Sequence, residues 1–133
     1  MIAMISARTD EPRRRYKRFA PPRAEVTCRP QQSLFDKLLK KNIALRLKDV
    51  SLGGVQIIAS RELRLGDKTE LSLSFPGFPD EIIAEADVRW CRRDTLSLAP
   101  QWRAGLTFKR LAPSHEAALL EVDRTYLSGG TPS

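Results

Sequence analysis

Through the middle of this chain apolar residues recur at every second position, and that period restricts the fold more than any other feature. Ile82, Ala84, Ala86, Val88 and Trp90 share one parity, while Glu85, Asp87 and Arg89 share the other. A period of two sends side chains alternately to the two faces of an extended strand. A strand that is apolar on one face and charged on the other belongs to an antiparallel sheet covered on one side only. On this parity Trp90 falls on the buried face. Ile43, Leu45 and Leu47 alternate in the same way against Ala44, Arg46 and Lys48. So do Val55 and Ile57, then Leu71, Leu73 and Phe75, then Trp102, Ala104, Leu106 and Phe108. An earlier strand is expected over Ala24 to Arg29. Turn-forming residues separate these runs, among them Gly66-Asp67, Pro76-Gly77-Phe78-Pro79-Asp80 and Arg93-Asp94-Thr95. Several short strands at this spacing predict a small antiparallel barrel or sandwich.

Two segments depart from the period of two. Leu34, Phe35, Leu38 and Leu39 have helical spacing, so residues 31–41 fit either one short helix or a long hairpin loop. After Pro113 the apolar series Ala118, Leu119, Val122 and Tyr126 predicts a helix over 114–127. Ser114 is its expected N-cap, Glu116 suits its positive end, and Gly129-Gly130 stops it. The chain thus divides into a disordered N-terminus (1–12), a β domain with its leading arm (13–111), and a C-terminal helix and tail (112–133).

The net charge of +7 is concentrated in one place. Between Arg8 and Arg23 stand seven basic residues and two acidic ones, which leaves the rest of the chain near balance. Pro21-Pro22 stops any helix there. This basic arm is therefore an extended lead into the first strand, and such an arm suits a polyanion. No apolar run reaches the ~20 residues of a membrane helix. The N-terminus is too short and interrupted for a secretory signal, so a cytoplasmic location is expected, without membrane insertion. Cys28 and Cys91 lie inside strands, as buried thiols rather than a metal site. The single histidine, His115, has no nucleophile partner in sequence reach and reads as a surface or capping residue. With no catalytic constellation, no enzyme activity is expected, and neither a metal nor a resident cofactor.

Two short pieces carry the chemistry. Arg13-Arg14-Arg15-Tyr16-Lys17-Arg18 places Arg14 and Arg18 in an Arg-x-x-x-Arg pattern, and Asp49-Val50-Ser51-Leu52-Gly53-Gly54 forms Asp-x-Ser-x-x-Gly. In this order, about thirty residues apart in a β-rich chain, they resemble the two signature motifs of the PilZ domain family, bacterial receptors for cyclic di-GMP. Val88-Arg89-Trp90 and Gly105-Leu106-Thr107-Phe108 also resemble that family's closing strands.

The resemblance implies a six-stranded antiparallel β-barrel with a C-terminal helix, and a flexible arginine arm that folds over the ligand against the Asp-x-Ser-x-x-Gly turn. It implies a cyclic di-GMP site built from Arg13, Arg14, Arg15, Arg18, Asp49, Ser51, Gly53 and Gly54. The residue types suit that ligand. Arginine forks onto a phosphate or onto the Hoogsteen edge of guanine, and its flat group stacks on purines. Asp49 can accept from guanine N–H donors, Ser51 can donate or close the turn, and Gly53 and Gly54 permit positive φ and close backbone approach. In the family an arginine in the place of Arg13 goes with an intercalated ligand dimer. Trp90 or Trp102 could stack on a guanine, although the parity of Trp90 favours the core. A receptor without an output module acts through a downstream protein, which the sequence does not name. The other readings are a PilZ-like adaptor that binds protein and no nucleotide, and a basic barrel that binds RNA or DNA. Intact motifs argue against the first. The lack of an aromatic-rich RNA-binding strand argues against the second.

Overall fold

A computed structural model describes residues 17–127. The expected disordered N-terminus, Arg13, Arg14, Arg15 and the Gly129-Gly130 stop lie outside the described residues. The strands are β1 (Glu25–Pro30), β2 (Ala44–Ser51), β3 (Gly54–Ala59), β4 (Lys68–Ser74), β5 (Ile82–Arg93) and β6 (Trp102–Leu111). They form one antiparallel sheet in the order β1-β4-β5-β6-β3-β2. The sheet curls until its two edge strands meet. Ile43 N–H donates to the Cys28 carbonyl at 2.9 Å, and Asn42 Oδ1 accepts from the N–H groups of Cys28 (2.8 Å) and Ala44 (3.0 Å). Backbone groups that an open edge would expose are thereby paired, and the barrel is nearly closed.

The interior follows the alternation read from sequence. Ile82, Ala84, Ala86 and Val88 of β5 are all buried, and Ile82, Ala86 and Val88 share one core with Leu71, Leu73, Val55, Ile57 and Leu106. Cys28 sits in the same core, where burial pushes its thiol up to about 12 and keeps it protonated. On β2 the parity fails. Register shifts between Ala44 and Arg46, and between Leu47 and Asp49, add unpaired residues to this edge strand. Each extra residue turns the following side chains to the other face. Leu45, expected inside with Ile43, is half exposed, and Val50 and Ser51 are buried instead.

Residues 31–41 contain one short helix, α1 (Leu34–Leu39). Ser33 caps it by accepting from Asp36 N–H, and Lys40 ends it in a left-handed conformation (φ 49°). Leu34 and Leu38 of this helix face solvent rather than the barrel.

The second helix, α2 (Pro113–Leu127), starts one residue earlier than expected. Proline suits a first helical turn because its missing N–H would have no partner there. Glu116 N–H donates to the Ala112 carbonyl at 2.9 Å, so Ser114 lies inside the first turn and is not the N-cap. Leu119 and Val122 are buried on the barrel, and Tyr126 stacks on Phe19 with ring centroids 5.0 Å apart. His115 Nδ1 accepts from Ile83 N–H at 3.2 Å and ties the helix start to β5.

Candidate ligand-binding site

The turn between β2 and β3 fixes one side of the site. Ser51 Oγ accepts from Gly53 N–H at 3.1 Å, which closes the turn. Gly54 opens β3 opposite Thr107 of β6, and the two strands approach so closely that a Cβ on Gly54 would lie 2.0 Å from the Leu106 carbonyl oxygen. Backbone approach is thus what requires glycine at 54. Positive φ is found at Gly66 and Gly77, and at neither Gly53 nor Gly54, so that part of the expectation is corrected.

The end of the arm docks beside this turn. Phe19 and Val50 exchange two backbone hydrogen bonds of 2.9 Å, which fix this end of the arm against β2. The preceding residue, Arg18, then reaches Asp49: Nε donates to Oδ1 at 2.7 Å. Its Nη1 lies 3.5 Å from Ser51 Oγ. Both side chains of the ion pair are about a quarter exposed (28% and 24%), so water still reaches them. Arg18 spends two of its five donors here and keeps the rest for an acceptor. The structure therefore brings together Arg18, Asp49, Ser51, Gly53 and Gly54 from two distant segments.

A cavity of about 450 Å³ opens on the outer wall of the barrel next to this cluster. That is within the ~300–1,000 Å³ usual for small-molecule sites. Arg18, Ser51, Gly53 and Gly54 line one end. Gln56, Arg89, Trp90, Gly105 and Thr107 form the wall.

Trp90 reaches that wall through a bulge. Val88 pairs with Leu106 and Trp90 with Gly105, so Arg89 is an extra residue opposite none. The bulge reverses the parity of β5: Val88 points inward and Trp90 outward, against the core position expected from spacing. The indole covers Gly105, where a Cβ would meet Trp90 Nε1 at 2.2 Å. The Arg92 guanidinium lies 4.9 Å from the Trp90 ring centroid on the same side of the sheet. Trp102 is not among the lining residues and pairs with Arg93 at 5.3 Å.

Gln56 was not singled out in the sequence, and Arg89, Gly105 and Thr107 entered only within the segments that resemble the family's closing strands, not as site residues. Two of them carried a signal. Gln56 is the polar residue alternating between Val55 and Ile57, and a glycine inside a strand, as at 105, often marks close approach of another group.

A family model described as PilZ domain matches residues 12–122. The chain belongs to the PilZ domain family. This PilZ domain also resembles solved structures at low identity. It superposes on the Bacillus subtilis inhibitor of motility MotI/DgrA with a TM-score of 0.65 and 19% identity, covering 86% of this chain and 51% of that one. The PilZ domain of YcgR from Escherichia coli, solved with c-di-GMP, gives 0.64 and 17%, covering 88% and 93%. The K. pneumonia MrkH-c-di-GMP complex gives 0.65 and 16%, covering 86% and 52%. The chain thus spans about half the length of MotI and MrkH, and nearly all of the isolated YcgR domain. No curated protein sequence matches it. Among the described residues no helix is long and apolar enough to cross a membrane.

Proposed function

We propose that this PilZ domain is a receptor for cyclic di-GMP, acting by binding and not by catalysis. One observation carries the reading: Arg18 and the Ser51-to-Gly54 turn, some thirty residues apart in sequence, line one cavity whose wall is an indole over a glycine, and Asp49 holds Arg18 beside it. Cations and a turn hydroxyl suit the phosphates, and Trp90 offers a flat surface for a purine. The YcgR and MrkH structures hold c-di-GMP, which supports the same ligand class here. In this reading Arg13, Arg14 and Arg15 belong to the arm that covers the ligand. The signal then passes to a downstream protein in the cytoplasm.

Calorimetry with cyclic di-GMP, cyclic di-AMP, GTP and a single-stranded oligonucleotide tests the proposal. Saturable binding of cyclic di-GMP alone is the expected result. Arg18→Ala should weaken it by about 1.5–3 kcal/mol, the scale of a charged hydrogen-bonding group. Asp49→Ala should weaken it too, because it removes both an acceptor for guanine donors and the anchor of Arg18. Binding of the oligonucleotide instead would mark a nucleic-acid barrel, and no heat with any of the four would mark an adaptor.

Arg13 bears on stoichiometry. Arg13, Arg14, Arg15 and Arg18 exceed the charge of one dianion, whereas a stacked ligand pair carries four negative charges. The proposed complex holds an intercalated dimer of cyclic di-GMP. Arg13→Leu should lower the fitted stoichiometry from two toward one with substantial affinity retained. Saturation of the unaltered chain at one ligand would exclude the dimer.

A further inference from the structure

The outer wall that carries the cavity continues two residues further along three strands. Gln56 is followed by Ile58 on β3, Gly105 is preceded by Arg103 on β6, and Trp90 is followed by Arg92 on β5. At the strand rise of ~3.3 Å per residue this second area begins about 7 Å from the first. It is a recess of about 320 Å³ lined by Arg46, Lys48, Ile58, Asp94, Gln101 and Arg103, with Leu96 and Ser97 at its edge. Ile58 points outward from the barrel and is nevertheless only 1% exposed, because it forms the buried floor of this recess.

Three observations define what the recess lacks. Arg46, Lys48 and Arg103 form no ion pair with a described residue. The Nε of Arg103 is buried and has no hydrogen-bond partner among the described residues. The one carboxylate present, Asp94, accepts from Leu96 N–H at 3.2 Å, so it is engaged in its own loop. Positive donors in excess, one of them buried and unsatisfied, call for external acceptors.

The loop beside the recess supplies an apolar element. It is closed by Asp94 N–H donating to the Gln101 carbonyl at 2.9 Å. On it Leu96 and Leu98 stand 91% and 106% exposed. Two bare leucines beside a cationic recess do not suit a small anion, which would leave them in water. Nor do they suit a nucleic acid, whose bases stack on aromatic rings. They suit a protein segment that offers apolar side chains next to acidic ones.

We propose that this recess and the Leu96–Leu98 loop together form a docking surface for an acidic, leucine-accepting segment of a partner protein. The carboxylates of the partner segment would enter among Arg46, Lys48 and Arg103, and its neighbouring apolar side chains would pack on the two leucines. The surface lies beside the cavity but stands whatever fills the cavity.

The test selects a random twelve-residue peptide library displayed on phage against the full chain without added nucleotide. Enriched peptides, remade synthetically, are measured by fluorescence anisotropy beside a single-stranded oligonucleotide. Two double variants are compared, L96S/L98S on fully exposed positions and R46E/K48E on exposed β2 positions. Enriched peptides should carry acidic residues beside a large apolar one. Each double variant should weaken them by about tenfold or more, as loss of central interface contacts does. Both variants should bind cyclic di-GMP as the unaltered chain does, so failure of the docking surface and failure of the receptor reading give different results. Peptides that are not acidic, or that bind both variants undiminished, would overturn the proposal. Oligonucleotide binding lost in R46E/K48E but kept in L96S/L98S would also overturn it, by assigning the surface to nucleic acid.

Discussion

A chain ending at Ala112 should lose several kcal/mol of folding stability. Truncation removes Leu119 and Val122, which are 3% and 1% exposed in the barrel-side core. Burying a side chain of that size stabilises by about 1.5–3 kcal/mol. Tyr126 adds its stack on Phe19 and its tilted contact with Phe75 at 6.5 Å. Removal of the helix also uncovers those two rings and the Ile83 N–H now bonded to His115. A domain of this size has only about 5–15 kcal/mol of net stability, so the truncated chain should melt well below the full one. Because Phe19 follows Arg18 and pairs with Val50, the arm should loosen at the same time. Thermal unfolding of the two chains measures the effect. An unchanged melting temperature would place the Leu119–Val122 stripe at an interface with another molecule instead.

Gly54→Ala should cost about 3 kcal/mol or more, the upper range for forced overpacking. The sign is unusual, since replacing glycine by alanine inside a strand ordinarily stabilises by roughly 0.5–1 kcal/mol. Here the new Cβ would lie 2.0 Å from the Leu106 carbonyl oxygen and 3.0 Å from the Thr107 Cα. Both obstacles are backbone, so relief requires β3 to part from β6. Those strands carry the turn and the cavity wall, and ligand binding should fall with stability. Denaturant unfolding of the variant gives the cost directly. A loss below about 1 kcal/mol would show that the strands separate easily and that Gly54 is needed for something other than their approach.

The barrel was legible in sequence because its physical cause is local. A strand buried on one face must alternate, as Ile82, Ala84, Ala86 and Val88 do, and a helix lying on that barrel must not, as Leu119, Val122 and Tyr126 show. The two motifs were legible because they are runs of adjacent residues. Their meeting was implied only by family resemblance, since nothing local places Arg18 on Asp49 across thirty residues.

What the tertiary structure decided lies where two strands disagree in length. A bulge is a property of a pair: Arg89 is extra only because Val88 and Trp90 face consecutive residues, Leu106 and Gly105. Parity counted along β5 alone therefore puts Trp90 in the core, whereas the pairing puts it over Gly105 on the cavity wall. The same pairing exposes Leu45 at the edge strand. The outward residues Gln56, Thr107 and Arg103 look like ordinary solvated positions in sequence. They become a surface only when β3 and β6 lie side by side and the loop from Asp94 to Gln101 closes beside them. Sequence spacing determines which residues of one strand share a face; strand pairing, through register and bulges, determines which faces of different strands share a site.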